Sequence, residues 1–245
     1  MQPRRRVPAA RWLAVAALPL AAAGCAPHSV TEQGRAIYNL YNLFLYIAAV
    51  VYLLVAVLVI WSVIRYRRRD DQLPTQTHGN NKLELTWTVI PTVIVLFLFA
   101  ATLQAQHKVL NPVAQPGVNV TVTAFQWSWR FTYEGTGAEV IGTPGQVPEM
   151  VVPVGETVRV KLQSADVVHS FYVPQTLFKR QAIPGVTSEF DLTFDKAGLY
   201  HGQCTQFCGL QHPDMVFRVR VVSPSEYRSW LAAAARRGSA GRPGT

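Results

Sequence analysis

Residues 43–64 and 87–103 are two apolar runs, each close to the ~20 residues a helix needs to cross a bilayer. They constrain this chain more than any other feature. Inside lipid every backbone N–H and C=O must be satisfied within its own segment, so each run is expected to be a helix. Arg65, Arg67, Arg68 and Arg69 follow the first run, and such an excess of arginine places the connection in the cytoplasm. Both ends of the mature chain then lie outside. The second run is the less regular one: Pro91, Thr86, Thr88 and Thr92 are awkward in lipid unless a neighbouring helix covers them.

A further apolar stretch, residues 12–23, follows Arg4-Arg5-Arg6 and ends in small residues before Cys25, the layout of a secretory signal over residues 1–24. Ala22-Ala23-Gly24-Cys25 resembles a bacterial lipoprotein cleavage box, with alanine in place of the usual leucine. Lipidation of Cys25 is the expectation; ordinary cleavage or an uncleaved helix are the alternatives. The expected layout continues with an exported segment at 25–42 and a transmembrane hairpin over 43–106, whose cytoplasmic loop is 65–86. An exported domain at 107–223 and a short helix with a disordered tail at 224–245 complete it.

The formal charge of +9 invites a nucleic-acid partner, but its distribution argues against one. The arginines cluster in the leader, after the first run and in the tail. Between residues 107 and 223, nine basic residues (Lys108, Arg130, Arg159, Lys161, Lys179, Arg180, Lys196, Arg218, Arg220) balance nine acidic ones (Glu134, Glu139, Glu149, Glu156, Asp166, Glu189, Asp191, Asp195, Asp214). The excess is therefore topological.

Beyond the second run the pattern shortens to alternating segments at 118–123, 157–162 and 216–221, which read as half-buried strands. Turn signals at 135–137, 144–145, 153–155, 184–185 and 198 separate them. This predicts a small all-β sandwich or barrel. Ser223-Pro224-Ser225-Glu226 has capping-box spacing with proline at the first helical position, which starts a short helix expected to reach about residue 236.

Within this β pattern, Cys204, Cys208, His212 and Met215 fall in twelve positions. Thiolate and thioether favour Cu(I) and imidazole accepts either oxidation state, so the set suits copper. Two thiolates four apart on a tight loop can bridge two coppers, whereas a mononuclear blue site needs one. A second histidine is missing, and His169 in Asp166-Val167-Val168-His169-Ser170 is the best candidate if the sandwich closes. The plainer alternatives are a Cys204–Cys208 disulfide, which an oxidising compartment permits, and a His169 that merely fills the core.

Taken with the 179–185 stretch Lys-Arg-Gln-Ala-Ile-Pro-Gly, the Gln126-Trp127-Ser128-Trp129 run and the His78-Gly79-Asn80…Glu84-Leu85-Thr86-Trp87 entry to the second run, these residues resemble subunit II of cytochrome c oxidase. The resemblance covers nearly all of residues 40–230. It implies a cupredoxin-like domain holding a binuclear copper A centre: Cys204 and Cys208 bridge, His169 and Met215 bind one copper, and His212 with the Gln206 main-chain carbonyl binds the other. It also implies single electrons entering from cytochrome c or a small copper protein at Trp127, then passing to heme in subunit I, where oxygen is reduced.

By the same resemblance Asp166 lies near the donor's docking surface and Glu84 opens a proton path into subunit I. The location implied is a bacterial cell membrane, with the copper domain on the outer face and other oxidase subunits as partners. Other roles are open: a strand pair of core aromatics for Trp127 and Trp129, a solvated loop carboxylate for Asp166, and a solvated or helix-capping carboxylate for Glu84. Two positions depart from the family: Gln206 often is glutamate reaching an interface magnesium, and Gln181 often is aspartate. Gln206 offers no charge to magnesium, which leaves that metal doubtful.

Three rival readings exist. A membrane-tethered copper chaperone would show a thioredoxin-like βαβ pattern and a single span; a copper-free quinol oxidase subunit would have lost the ligands. A copper A subunit of a membrane nitric oxide reductase is harder to separate. No Cys-x-x-Cys-His heme motif follows Met215, so the electron donor is expected to be a separate protein.

Overall fold

The computed structural model describes residues 28–68, 76, 78–143 and 145–240. Cys25 and the 1–24 leader lie outside them, as do Arg69 and residues 241–245. The described residues form two units, one of residues 39–104 and one of residues 28–38 with everything from 105 onward.

The first unit holds most of two helices, α1 (Glu32–Arg65, 34 residues) and α2 (Asn81–Leu110, 30 residues). Both are long and apolar enough to cross a membrane. At 1.5 Å per residue they run about 51 and about 45 Å, well beyond the ~30 Å of hydrocarbon that sets the length of the apolar part alone. Segment 25–42 is therefore helical from Glu32, and the expected loop 65–86 ends early, at Asn81. Asn80 caps α2: its Oδ1 accepts from Leu83 N at 3.2 Å, and Glu84 Oε1 accepts from Asn80 N at 3.3 Å.

The threonines of α2 need no covering helix. Thr86, Thr88 and Thr92 donate their hydroxyls to Lys82 O, Glu84 O and Thr88 O at 2.7, 2.9 and 2.7 Å. Back-bonding of this kind satisfies the hydroxyl within its own helix. Pro91 still removes the N–H that would bond Trp87 O.

The second unit is a β-sandwich of ten strands: β1 (Val118–Phe125), β2 (Ser128–Tyr133), β3 (Glu139–Ile141), β4 (Glu149–Pro153), β5 (Thr157–Ser164), β6 (His169–Val173), β7 (Phe178–Ala182), β8 (Ser188–Thr193), β9 (Gly198–Cys204) and β10 (Val216–Val222). One sheet has the order β3-β2-β1-β5-β8 and the other β4-β10-β9-β6-β7. The pairs β1–β5 and β4–β10 are parallel and the rest antiparallel. The period-two pattern of β1, β5 and β10 turns Val120, Val122, Val158, Val160, Phe217 and Val219 inward, where they are fully or almost fully buried. Trp129, Phe131 and Phe171 join them, Phe171 stacking on Phe217 at 4.7 Å. Helix α3 (Pro224–Ala240) runs past the expected end near residue 236 and packs Trp230 edge-on to Tyr133 at 4.9 Å.

Two segments are stitched onto β8 and its end. Val30 O accepts from Asp195 N, Gln33 Oε1 accepts from Thr193 N, and Thr31 forms an antiparallel bridge to Phe194. Arg35 pairs with Asp195. After α2, Val113 N donates to Asp191 Oδ2 at 2.7 Å, and the Arg159 guanidinium grips both oxygens of the buried Asp191 at 2.9 and 3.0 Å.

Candidate metal centre

The strand register brings the expected ligands together. His169 opens β6 and Cys204 closes β9, its neighbour, where Phe171 faces Cys204. The intervening loop closes at its base, Cys204 N donating to Met215 O at 2.9 Å and Thr205 N to Ser170 O at 3.3 Å. A 3-10 turn at His212–Asp214 aims His212 back at the cysteines.

Cys204 Sγ lies 3.9 Å from Cys208 Sγ, 3.9 Å from His169 Nδ1 and 3.2 Å from Gln206 O. Cys208 Sγ lies 3.4 Å from His212 Nδ1 and 3.7 Å from Met215 Sδ. Both cysteines are free thiols, so the disulfide alternative is not realised. His169 and Met215 are fully buried, and both thiols nearly so. Two thiolates and two imidazoles would also satisfy zinc; the thioether and the carbonyl beside them fit copper better.

Burial opposes ionisation of Cys204, but its contacts with His169, with the backbone at Gln206 and Ser170 and with Cys208 outweigh that and bring it down to about 6. Burial, and then the charge on Cys204, pushes the Cys208 thiol up to about 12. Burial likewise disfavours a charged His169, yet the hydrogen bonds with Cys204 and Asp166 raise its affinity for the proton.

Asp166 lies beside the candidate ligands rather than at a docking surface alone. Its Oδ1 lies 2.7 Å from His169 Nε2 and its Oδ2 accepts from Gln126 N at 2.7 Å. A carboxylate on the far nitrogen of a ligand histidine fixes tautomer and ring orientation, so Asp166 is tied to the site more closely than a docking residue need be. The Asp-x-x-His spacing was the available signal.

Trp127 and Trp129 divide because Trp127 lies in the β1–β2 turn, whereas Trp129 lies on β2 and faces the core. Trp129 is fully buried, with Phe217 at 5.0 Å and His169 at 6.5 Å. Trp127 is half-buried and donates Nε1–H to Cys208 O at 3.2 Å. A cleft of about 770 Å³ opens beside it, lined among others by Gln126, Gln146, Pro213 and Asp214. Gln126 escaped notice as a single residue; its Nε2 donates to the same Cys208 carbonyl at 2.7 Å. The two departures meet, Gln181 Nε2 donating to Gln206 Oε1 at 3.4 Å. Glu84 belongs to the other unit, in the capped first turn of α2.

A β-sandwich with a thiolate, imidazole and thioether loop, in a chain with two helices able to span a membrane, defines a membrane-anchored protein with a copper-type cupredoxin domain. Residues 144–222 match the family model for the cytochrome C oxidase subunit II periplasmic domain, and residues 23–104 match that for its transmembrane domain. A probable cytochrome c oxidase subunit 2 of Streptomyces avermitilis is 34% identical over 255 residues, covering 88% of this chain and 80% of that protein. The cytochrome c oxidase subunit 2 of Alkalihalophilus pseudofirmus is 33% identical over 237 residues, covering 91% and 68%. The crystal structure of the periplasmic domain of subunit II of cytochrome oxidase of Bradyrhizobium japonicum aligns at 33% identity and a TM-score of 0.47, over 51% of this chain and 99% of that one. The chain belongs to the cytochrome c oxidase subunit II family, and so to an oxidoreductase complex, the heme–copper oxidase.

Proposed function

We propose that this chain is the electron-entry subunit of a heme–copper terminal oxidase, taking single electrons from cytochrome c or a small copper protein and passing them to heme in subunit I. The observation that carries the reading is the convergence of Cys204, Cys208, His169, His212, Met215 and the Gln206 carbonyl within the contacts above. These six would hold a copper pair. When bound, the pair supplies one-electron chemistry.

The chain's own residues do the rest. Asp166 orients His169 and Gln206 turns its main-chain oxygen to Cys204. Burial of His169 and Met215 keeps water from the site. Trp127 stands where the open cleft meets the loop, its indole bonded to the backbone of Cys208, which suits it to electron entry. The domain is assigned to the outer face of a bacterial membrane, with the Arg65–Arg68 end of α1 inside. Glu84, near that inner side, is assigned both a capping role and proton collection for subunit I, and Cys25 a lipid anchor. With Gln181 and Gln206 bonded as neutral amides, no interface magnesium is assigned.

Full-length chain purified with copper should carry two ions and show a seven-line electron paramagnetic resonance pattern from one electron shared over two nuclei. One copper per chain, or a four-line blue-copper pattern, overturns the reading.

A further inference from the structure

We propose that Gln126 is a positioning residue: its side chain holds the copper loop closed over Cys208 and keeps the Cys208 carbonyl in place against Trp127. The inference rests on reading this loop as the copper site. Cys208 O accepts two bonds, from Gln126 Nε2 at 2.7 Å and from Trp127 Nε1 at 3.2 Å, and the shorter one comes from the glutamine. The same residue's backbone N–H donates to Asp166 Oδ2, whose other oxygen meets His169 Nε2. Gln126 therefore joins the two arms that carry the ligands, the loop that follows β9 and the entry to β6, through one position on the β1–β2 turn.

The loop is shaped to admit these bonds. Gly209, next to Cys208, has φ of 118°, and a Cβ there would lie 3.0 Å from Gln126 Nε2 and 3.2 Å from Trp127 Nε1. Only glycine adopts such a φ freely, and only its missing side chain lets the turn approach so closely. Gln126 itself is exposed and contributes nothing to the sandwich core. Removing its donor therefore leaves the fold intact while freeing the loop. Closing such a loop with one neutral hydrogen bond shifts its opening equilibrium about fivefold.

The test uses the full-length chain in detergent. Gln126→Met keeps the length of the side chain and removes the donor. In the reduced, copper-free chain, Cys208 alkylates only from the opened loop, where it leaves the burial that holds its proton; its rate, followed site by site by peptide mass spectrometry, should be about fivefold faster, with an unchanged unfolding temperature. In the copper-loaded chain the hyperfine spacing should shift. Gln146→Met, which lines the same cleft but has no bond to Cys208 among the described contacts, should match the unsubstituted chain in both. An unchanged Cys208 rate in Gln126→Met overturns the proposal. So does equal acceleration at Cys204 with a lowered unfolding temperature, since that marks general loosening. If the unsubstituted chain takes up no copper while the Cys208 rates still differ as stated, the copper reading fails and the positioning role stands.

Discussion

Cys204 and Cys208 sit 3.9 Å apart yet hold their protons very differently, Cys204 brought down to about 6 and Cys208 pushed up to about 12. Only a thiolate reacts or binds metal. In the copper-free chain one thiol should therefore alkylate with a midpoint near pH 6, slowing tenfold per unit below it, while the other stays protonated through neutral pH. Two thiols sharing a midpoint near the ordinary ~8.5 would contradict this. If copper is held through both thiolates, as proposed, its uptake must expel the Cys208 proton, and apparent copper affinity should rise with pH. His169 and Asp166 work the same way in reverse: the carboxylate that steadies the imidazole also raises its hold on a proton, which copper must displace.

At the scale of elements, α2 tests whether Glu84 is more than a cap. Glutamine can still accept the bond from Asn80 N but cannot carry a proton. Glu84→Gln in the assembled oxidase should lower steady-state turnover several-fold, with copper reduction by the donor unaffected; normal turnover would leave only the capping role. The element also shows what was legible in the sequence. Hydropathy located both apolar runs, but not the polar turns that lengthen α1 back to Glu32 and extend α2 to Leu110, because bilayer thickness says nothing about helix outside it. Alternation found β1, β5 and β10. It missed β6, whose inward and outward positions are buried alike over His169-Ser170-Phe171. The clustered cysteines, histidines and methionine were readable because soft-metal chemistry needs those residue types. Gln126 was not, since a single amide acquires its role only when segments distant in sequence meet; the place of Asp166 had a local signal in the Asp-x-x-His spacing, but that spacing does not say that the two side chains bond.

Taken whole, the β unit is held to the chain leading into and out of the helices by charge as much as by packing. Arg159 and Asp191 are paired, with side chains only 14% and 3% exposed, and they fasten Val113 to the sheet. Removing one member of a buried pair strands the other, at about 3 kcal/mol. Asp191→Ala should therefore lower the unfolding temperature of the full chain, followed by tryptophan fluorescence, by roughly 6–12 °C. A drop under about 2 °C would show the pair to be solvated in practice. The bridge from Thr31 to Phe194 has a consequence in time. Its first half leaves the ribosome before either span, its second half long after both, so Thr31 waits without its strand partner until residue 194 has been made. Cys204, Cys208, His212 and Met215 emerge later still. The loop proposed to take copper is thus offered only late, and a chain whose synthesis stalls before residue 194 can neither pair Thr31 with Phe194 nor present that loop.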